Sequence, residues 1–402
     1  MNIETPRIVA LVHRLSTLES GRPRTILSRL VPGARLSRPN EGAIKRVLII
    51  KLSSIGDIVQ ALPVASALKR RFPTVRITWA VEDWAAPLIE HHPAIDRVAI
   101  FPRMTLRVQP DLRLWIRKFL AGARAIRAES YDVSIDLQGL LKSAVLAAIS
   151  RGAVRIGVSG QREGAHLVSA PVPRSANARH AVDEYLDAAC YLGAQPEQVE
   201  FGLAIDSAAD ASIVRMLSLA GVAPNRQILT VNPSASTSSK SWPAANWIAL
   251  LRGIDGSIAR IIVGGGENRV KHAAIASAVG GDVVDLTGRT TIPELVALLA
   301  RSIAHVAPDT GSLHIAAALG RPVVGIYGPT PPVRLGPYGQ PGQAIDHREL
   351  CGRWCPRVCV YARQCLRAVT PEEVREKIEV ALSGESAGSL HAGPMTRRTA
   401  QP

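Results

Sequence analysis

Apolar and polar positions fall in blocks along this chain, and the blocks predict alternating strands and helices. Val47–Lys51 (VLIIK) is an apolar run of strand length. The loop Leu52-Ser53-Ser54-Ile55-Gly56-Asp57-Ile58 follows, and helical spacing then runs to about Arg71. Further strands are predicted at Arg76–Val81, Asp96–Phe101, Val133–Asp136 and Arg155–Val158. Helices are predicted at Trp84–His91, Leu112–Ser130, from Gln138–Ser143 onward, and at His180–Leu192 ending at Gly193. Continuous apolar strands separated by helices imply a parallel sheet covered on both faces.

Pro196–Ala208 reads as a connection to a second unit of the same kind. A helix at Ala209–Leu219 precedes the strand Gln227–Asn232, a Ser/Thr-rich loop at 233–241, and a helix opened by Pro243 at its first position. Arg260–Val263 is a strand entering Gly264-Gly265-Gly266, followed by helix Lys271–Val279, strand Val283–Asp285 and helix Ile292–Arg301. Ala304–Pro332 then reads as an apolar strand, a Pro-Asp-Thr-Gly turn, a small-residue helix and a second strand, Pro322–Tyr327, closed by Gly328-Pro329. Thr370-Pro371-Glu372-Glu373 opens the last helix with a cap, a proline and a capping-box acid. The expected fold is α/β, with two Rossmann-like domains at 44–205 and 206–382 facing across a cleft. Residues 1–43 form a basic extension, either a flexible arm or a segment lying on anionic lipid. Residues 383–402 form a polar tail, expected to be disordered.

Composition agrees with two globular domains: 402 residues, 47% hydrophobic and 20% charged. No apolar run is long enough to span a bilayer, and the first residues lack the order of a signal peptide. A cytoplasmic protein is the expectation. The net charge of +15 calls for an anionic partner, whether nucleic acid, lipid or a phosphorylated substrate. With aromatics at 4% there is no stacking platform for single-stranded nucleic acid, and none is expected as a partner.

The loops 52–57, 233–241, 264–267 and 308–314 all leave the carboxyl ends of predicted strands, where open α/β sheets bind ligands. At Asp309-Thr310-Gly311-Ser312 the free N–H groups of a helix start can hold a phosphate, with His314 one turn further in. An ordinary helix cap would use the same residues. Neither the Walker lysine nor the GxGxxG spacing is present.

Two of these stretches carry a family resemblance. KLSSIGDIVQALPVASALKRRFP (Lys51–Pro73) and APDTGSLHIAAALGRPVVGIYGPT (Ala307–Thr330) resemble the paired signatures of the bacterial heptosyltransferases, glycosyltransferase family 9, of the two-domain GT-B type. The resemblance spans roughly 45–382. It implies transfer of heptose from ADP-heptose to a sugar hydroxyl, with inversion at the anomeric carbon. The expected acceptor is the inner core of lipopolysaccharide, an anionic glycolipid. A smaller branch of the family modifies serines of autotransporter proteins, which makes a protein acceptor the alternative. A non-enzymatic basic scaffold or nucleic-acid-binding protein would account for the charge but leave the convergent phosphate loops without a use. The cytoplasmic face of the inner membrane, with peripheral membrane contact, and a homo-oligomer are the corresponding expectations.

The resemblance also assigns roles. Asp57, the lone carboxylate of the first loop, takes that of catalytic base, since an attacking hydroxyl must lose its proton. Helix capping is the competing role for it. Ser53, Ser54 and the Gly56 backbone are expected to bind acceptor or phosphate oxygens. Lys240 is assigned to the donor diphosphate, with hydroxyls among Ser236, Thr237, Ser238 and Ser239 assisting. Asp309 matches a donor-contacting aspartate, Thr310 and Gly311 supply amides, and His314 either binds phosphate or packs. Glu267 resembles the acid that holds ribose or adenine, with 283–288 flanking the base. No Asp-x-Asp motif is present at a strand end, and the chemistry is expected to need no Mg²⁺.

Four of the five cysteines, Cys351, Cys355, Cys359 and Cys365, lie within fifteen residues as C-x3-C-x3-C-x5-C. In a cytosolic chain such clustering favours metal over disulfides, though reduced thiols in a loop have the same sequence. The cluster resembles one that holds structural iron in the autotransporter branch, and zinc is chemically as reasonable. Cys190 stands alone and is expected to be buried and inert.

Overall fold

The computed structural model describes residues 42, 44–103, 111–235, 237–351, 359 and 363–383. The basic extension, apart from Gly42, and the tail beyond Ser383 lie outside these, as do Ser236 and Cys355.

The first domain contains strands β1 (Arg46–Ile50), β2 (Arg76–Glu82), β3 (Arg97–Phe101), β4 (Val133–Asp136), β5 (Val154–Gly157) and β6 (Ala170–Pro171). Its helices are α1 (Ile55–Arg71), α2 (Leu112–Arg127), α3 (Leu141–Ser150) and α4 (Ala181–Tyr191). The second contains β7 (Ile228–Val231), β8 (Ala259–Ile262), β9 (Val283–Asp285), β10 (Ala304–Pro308), β11 (Val323–Tyr327) and β12 (Ala344–Asp346). Its helices are α5 (Ser207–Leu219), α6 (Ala244–Arg252), α7 (Arg269–Val279), α8 (Ile292–Arg301), α9 (Gly311–Ala318), α10 (Pro332–Leu335), α11 (Gln364–Ala368) and α12 (Pro371–Ser383).

The sheets run β3-β2-β1-β4-β5-β6 and β12-β11-β10-β7-β8-β9, with every recorded pairing parallel. Both carry the doubly wound order. The strand order reverses between β1 and β4 in one sheet and between β7 and β10 in the other, and the loops leaving such switch points form ligand sites.

Helices α1 and α9 are apolar on almost every side because each is covered twice, by its own sheet and by the other helix across the domain boundary. Their starts approach so closely that glycine is required. A Cβ on Gly311 would lie 2.8 Å from Ile55 Cβ. The domains also meet along α4. Arg334 grips Glu184 with two bonds of 2.9 and 2.7 Å, the Tyr338 hydroxyl donates to Asp183 at 3.0 Å, and His180 Nε2 lies 2.9 Å from the Gly336 carbonyl.

Several sequence expectations are corrected. Trp84–His91 is not an α-helix; only a 3₁₀ turn at Ala86–Leu88 forms, held by Pro87 at its start. Pro243 precedes α6 as its cap rather than its first residue. Helix α5 begins two residues early because Asp206 accepts the Ala209 amide at 2.7 Å. The two- and three-residue edge strands β6 and β12 were not anticipated. Cys190 is half-buried rather than buried.

Candidate active site

A cleft of about 540 Å³ lies between the domains, lined by the start of α1 on one side and by the loops after β7, β8 and β10 on the other.

On the first wall, α1 begins at the end of β1, and Asp57 occupies its third position. Its Oδ2 accepts from the Ser54 hydroxyl at 2.7 Å and the Ser54 amide at 3.1 Å, so the capping role is real. Its Oδ1 is left for other work, 4.0 Å from Lys51 Nζ, and the side chain is 40% exposed toward the cleft. Burial opposes the charge on Asp57. Lys51, both Ser54 donors and His314 outweigh it and hold the carboxyl below its ordinary value.

Lys51 is buried behind Asp57. Its ammonium donates to the Leu137 carbonyl at 3.2 Å and to the Tyr185 hydroxyl at 2.8 Å, and it lies over the Tyr185 ring. Burial would lower its pKa, but Tyr185, Asp57 and Asp136 raise it above the usual lysine value. Ser53 turns away from the cleft: the Lys142 ammonium donates to its hydroxyl at 3.2 Å and to the buried Glu82 carboxylate at 3.0 Å.

On the second wall, Lys240 is paired with Asp309, Nζ to Oδ2, at 2.6 Å. The other Asp309 oxygen lies 3.2 Å from His314 Nε2, and His314 Nδ1 lies 3.3 Å from Gln60 Nε2 of the first domain. Burial opposes ionisation of Asp309, but His314 and Lys240 together hold its carboxyl well below the usual range. Thr310 caps α9, and Thr310 and Gly311 both line the cleft. Glu267 is exposed at the rim and accepts from Asn268 at 3.0 Å.

Within the Ser/Thr loop, Ser234 lines the cleft, whereas the Thr237 hydroxyl turns to Ser239 at 3.0 Å. Of the stretch 283–288, expected to flank a nucleobase, Leu286 and Thr287 are buried. Sequence reading also passed over Lys51, Gln60, Trp84 and Asn232. A lysine ending an apolar strand and a glutamine inside an apolar helix were the available signals.

Cys351, Cys359 and Cys365 are not among the residues lining this cleft. Cys351 and Cys365 are buried in the second domain's core, and Cys359 is half-buried. The Cys365 amide donates to Cys351 Sγ at 3.3 Å and the Arg363 amide to Cys359 Sγ at 3.2 Å. Among the described residues no three His, Cys, Asp or Glu side chains gather as a metal site.

This arrangement, a carboxylate on one wall and a lysine with a helix N-terminus on the other, belongs to the class of two-domain enzymes that join an activated, anionic donor to a hydroxyl. Comparison with known proteins narrows it. The model of glycosyltransferase family 9 (heptosyltransferase) matches residues 119–361. Lipopolysaccharide heptosyltransferase 1 of Salmonella typhimurium is 30% identical over 308 residues, covering 73% of this chain and 92% of that protein. Its namesake in Pseudomonas aeruginosa is 30% identical over 329 residues, covering 79% and 88%. The structure of E. coli heptosyltransferase WaaC with ADP-2-deoxy-2-fluoro heptose matches with a TM-score of 0.62 at 26% identity, covering 83% of this chain and 99% of that one. The chain belongs to glycosyltransferase family 9.

Proposed function

We propose that this protein transfers heptose from ADP-heptose to a hydroxyl of the lipopolysaccharide inner core. The observation that carries the reading is the placement of Asp57 Oδ1 opposite Lys240 and the α9 start across a single cleft. Similarity to lipopolysaccharide heptosyltransferases supports the substrates.

In this reading the acceptor hydroxyl oxygen attacks the anomeric carbon from the first wall while its proton passes to Asp57. The bond from that carbon to the phosphate oxygen breaks, and ADP leaves against the second wall with inversion. The leaving diphosphate gains charge, which Lys240 and the amides of Thr310 and Gly311 compensate. Asp309 aims Lys240 and His314 at that charge. Glu267 at the rim holds the ribose. Ser54 fixes Asp57.

The reading places the enzyme at the cytoplasmic face of the inner membrane, where its glycolipid acceptor lies. No helix among the described residues is long and apolar enough to cross a membrane. The four cysteines hold one structural metal in this reading, supported by their clustering in the sequence and consistent with the amides that donate to Cys351 Sγ and Cys359 Sγ.

A panel of sugar nucleotides offered with heptose-free lipopolysaccharide and with a serine-rich autotransporter passenger tests the assignment. Turnover confined to ADP-heptose and the glycolipid is expected. Turnover with another donor only, or with the protein acceptor only, contradicts it.

A further inference from the structure

We propose that Ser234, oriented by the buried His272, donates a hydrogen bond to the diphosphate of the nucleotide sugar. The inference rests on the cleft being an ADP-sugar site and adds a ligand contact to it.

Ser234 is 5% exposed and yet lines the cleft. Its amide is engaged, donating to Asn232 Oδ1 at 3.2 Å. Its hydroxyl lies 2.6 Å from His272 Nε2. His272 is fully buried, and its Nδ1 lies 2.8 Å from the Thr287 hydroxyl. Thr287 is itself anchored by its amide, which donates to Asp285 Oδ1 at 2.9 Å. The charged groups facing the ring are Asp285, Lys271 and Glu267. Burial dominates them and pushes the imidazole down to about 4, so at neutral pH the ring carries one proton.

One proton allows two arrangements of this chain. In the first, Nδ1–H donates to Thr287 and the Ser234 hydroxyl donates inward to Nε2. In the second, the Thr287 hydroxyl donates to Nδ1 and Nε2–H donates to Ser234 Oγ. Only the second leaves the Ser234 proton free for the cleft, and an anion placed there selects it. The neighbouring Ser312 also lines the cleft; its hydroxyl accepts from Asn232 Nδ2 at 3.0 Å and lies 3.0 and 3.1 Å from His305 Nε2 and the Thr310 hydroxyl.

The fold makes room for this ring at a specific cost in sequence. A Cβ on Gly264 would lie 2.7 Å from His272 Cε1, so the first glycine of the Gly-Gly-Gly turn is the position that lets the imidazole sit beneath the loop.

The test compares ADP and adenosine as ligands of the wild-type protein, Ser234→Ala and His272→Gln by calorimetry, together with ¹⁵N shifts of the His272 ring. Ser234→Ala should weaken ADP roughly ten- to a hundredfold, as loss of a hydrogen bond to a charged group does, and leave adenosine unchanged. His272→Gln should weaken ADP in the same selective way. The ADP complex of the wild type should show the proton on Nε2. Unchanged ADP affinity in Ser234→Ala, a parallel loss of ADP and adenosine, or a ring protonated on Nδ1 in the complex overturns the proposal. A wild-type protein that neither binds ADP nor uses ADP-heptose removes the site reading itself, and this inference with it.

Discussion

The imidazole of His314 occupies the space that a side chain on Gly56 would need: a Cβ there would lie 2.7 Å from His314 Cδ2. The two residues belong to different domains, and their contact brings the start of the helix bearing Asp57 against the helix that faces the donor wall. Gly56→Ala should therefore push His314 off Asp309 and Gln60. Overpacking of this kind costs about 1–3 kcal/mol. A folded protein with a modestly lower melting temperature and a reduced kcat is expected. Wild-type kcat at wild-type stability would show that the contact is not needed.

Asp57→Asn should leave ADP affinity unchanged and lower transfer by roughly 10²–10⁴-fold, the usual contribution of a general base. Steady-state kinetics with calorimetry on the same samples separates the two effects. More than half of wild-type turnover would remove Asp57 from the chemistry.

Lys240→Ala should weaken ADP by removing the cation from the donor wall. Asp309→Ala should weaken it indirectly, by releasing Lys240 and His314 from their 2.6 and 3.2 Å contacts. Circular dichroism should show both folded. Unchanged ADP affinity in both would place the pair outside the donor site.

The pH dependence follows from Lys51. Because Asp57 is held below its ordinary value, the acid limb of kcat/KM should lie below the ordinary aspartate range. Asp57 contributes stability above its unfolded pKa, lost as pH falls through the folded one. Lys51→Met should move the acid limb upward, toward neutral pH. An unmoved limb in a folded variant would separate Lys51 from the base.

Asp136 has the opposite sign. Burial, opposed by bonds from Gly139, Ser143 and Gln138 and by Lys51, raises its carboxyl from 3.8 to about 6. The stability this gives is present below the unfolded pKa and lost as pH rises through 6, a span on the order of 3 kcal/mol. Asp136→Asn, which keeps an oxygen for the two amides and a polar atom for Ser143, should gain stability relative to wild type as pH rises from 4 to 7. A constant difference in melting temperature across that range would contradict it.

The two sheets were legible because β1, β7 and β10 are apolar runs that only burial on both faces explains. The signature loops were legible for the same reason the site works: Asp57, Lys240 and Asp309 sit where strands end. Pairing within the donor wall was not, since nothing local tells Lys240 that its partner is Asp309, 69 residues on. Nor could spacing distinguish Thr237, which bonds Ser239, from Ser234, which reaches the cleft. Lys51 was hidden by its own context: it closes an apolar strand run, and nothing local shows that its ammonium is buried against Tyr185.

The most direct test of the account is the mass of the product formed when purified protein meets ADP-heptose and heptose-free lipopolysaccharide. The account predicts addition of one heptose with release of ADP, abolished together with turnover in Asp57→Asn although that variant still binds ADP. No mass increase, or an equal increase with Asp57→Asn, would contradict it.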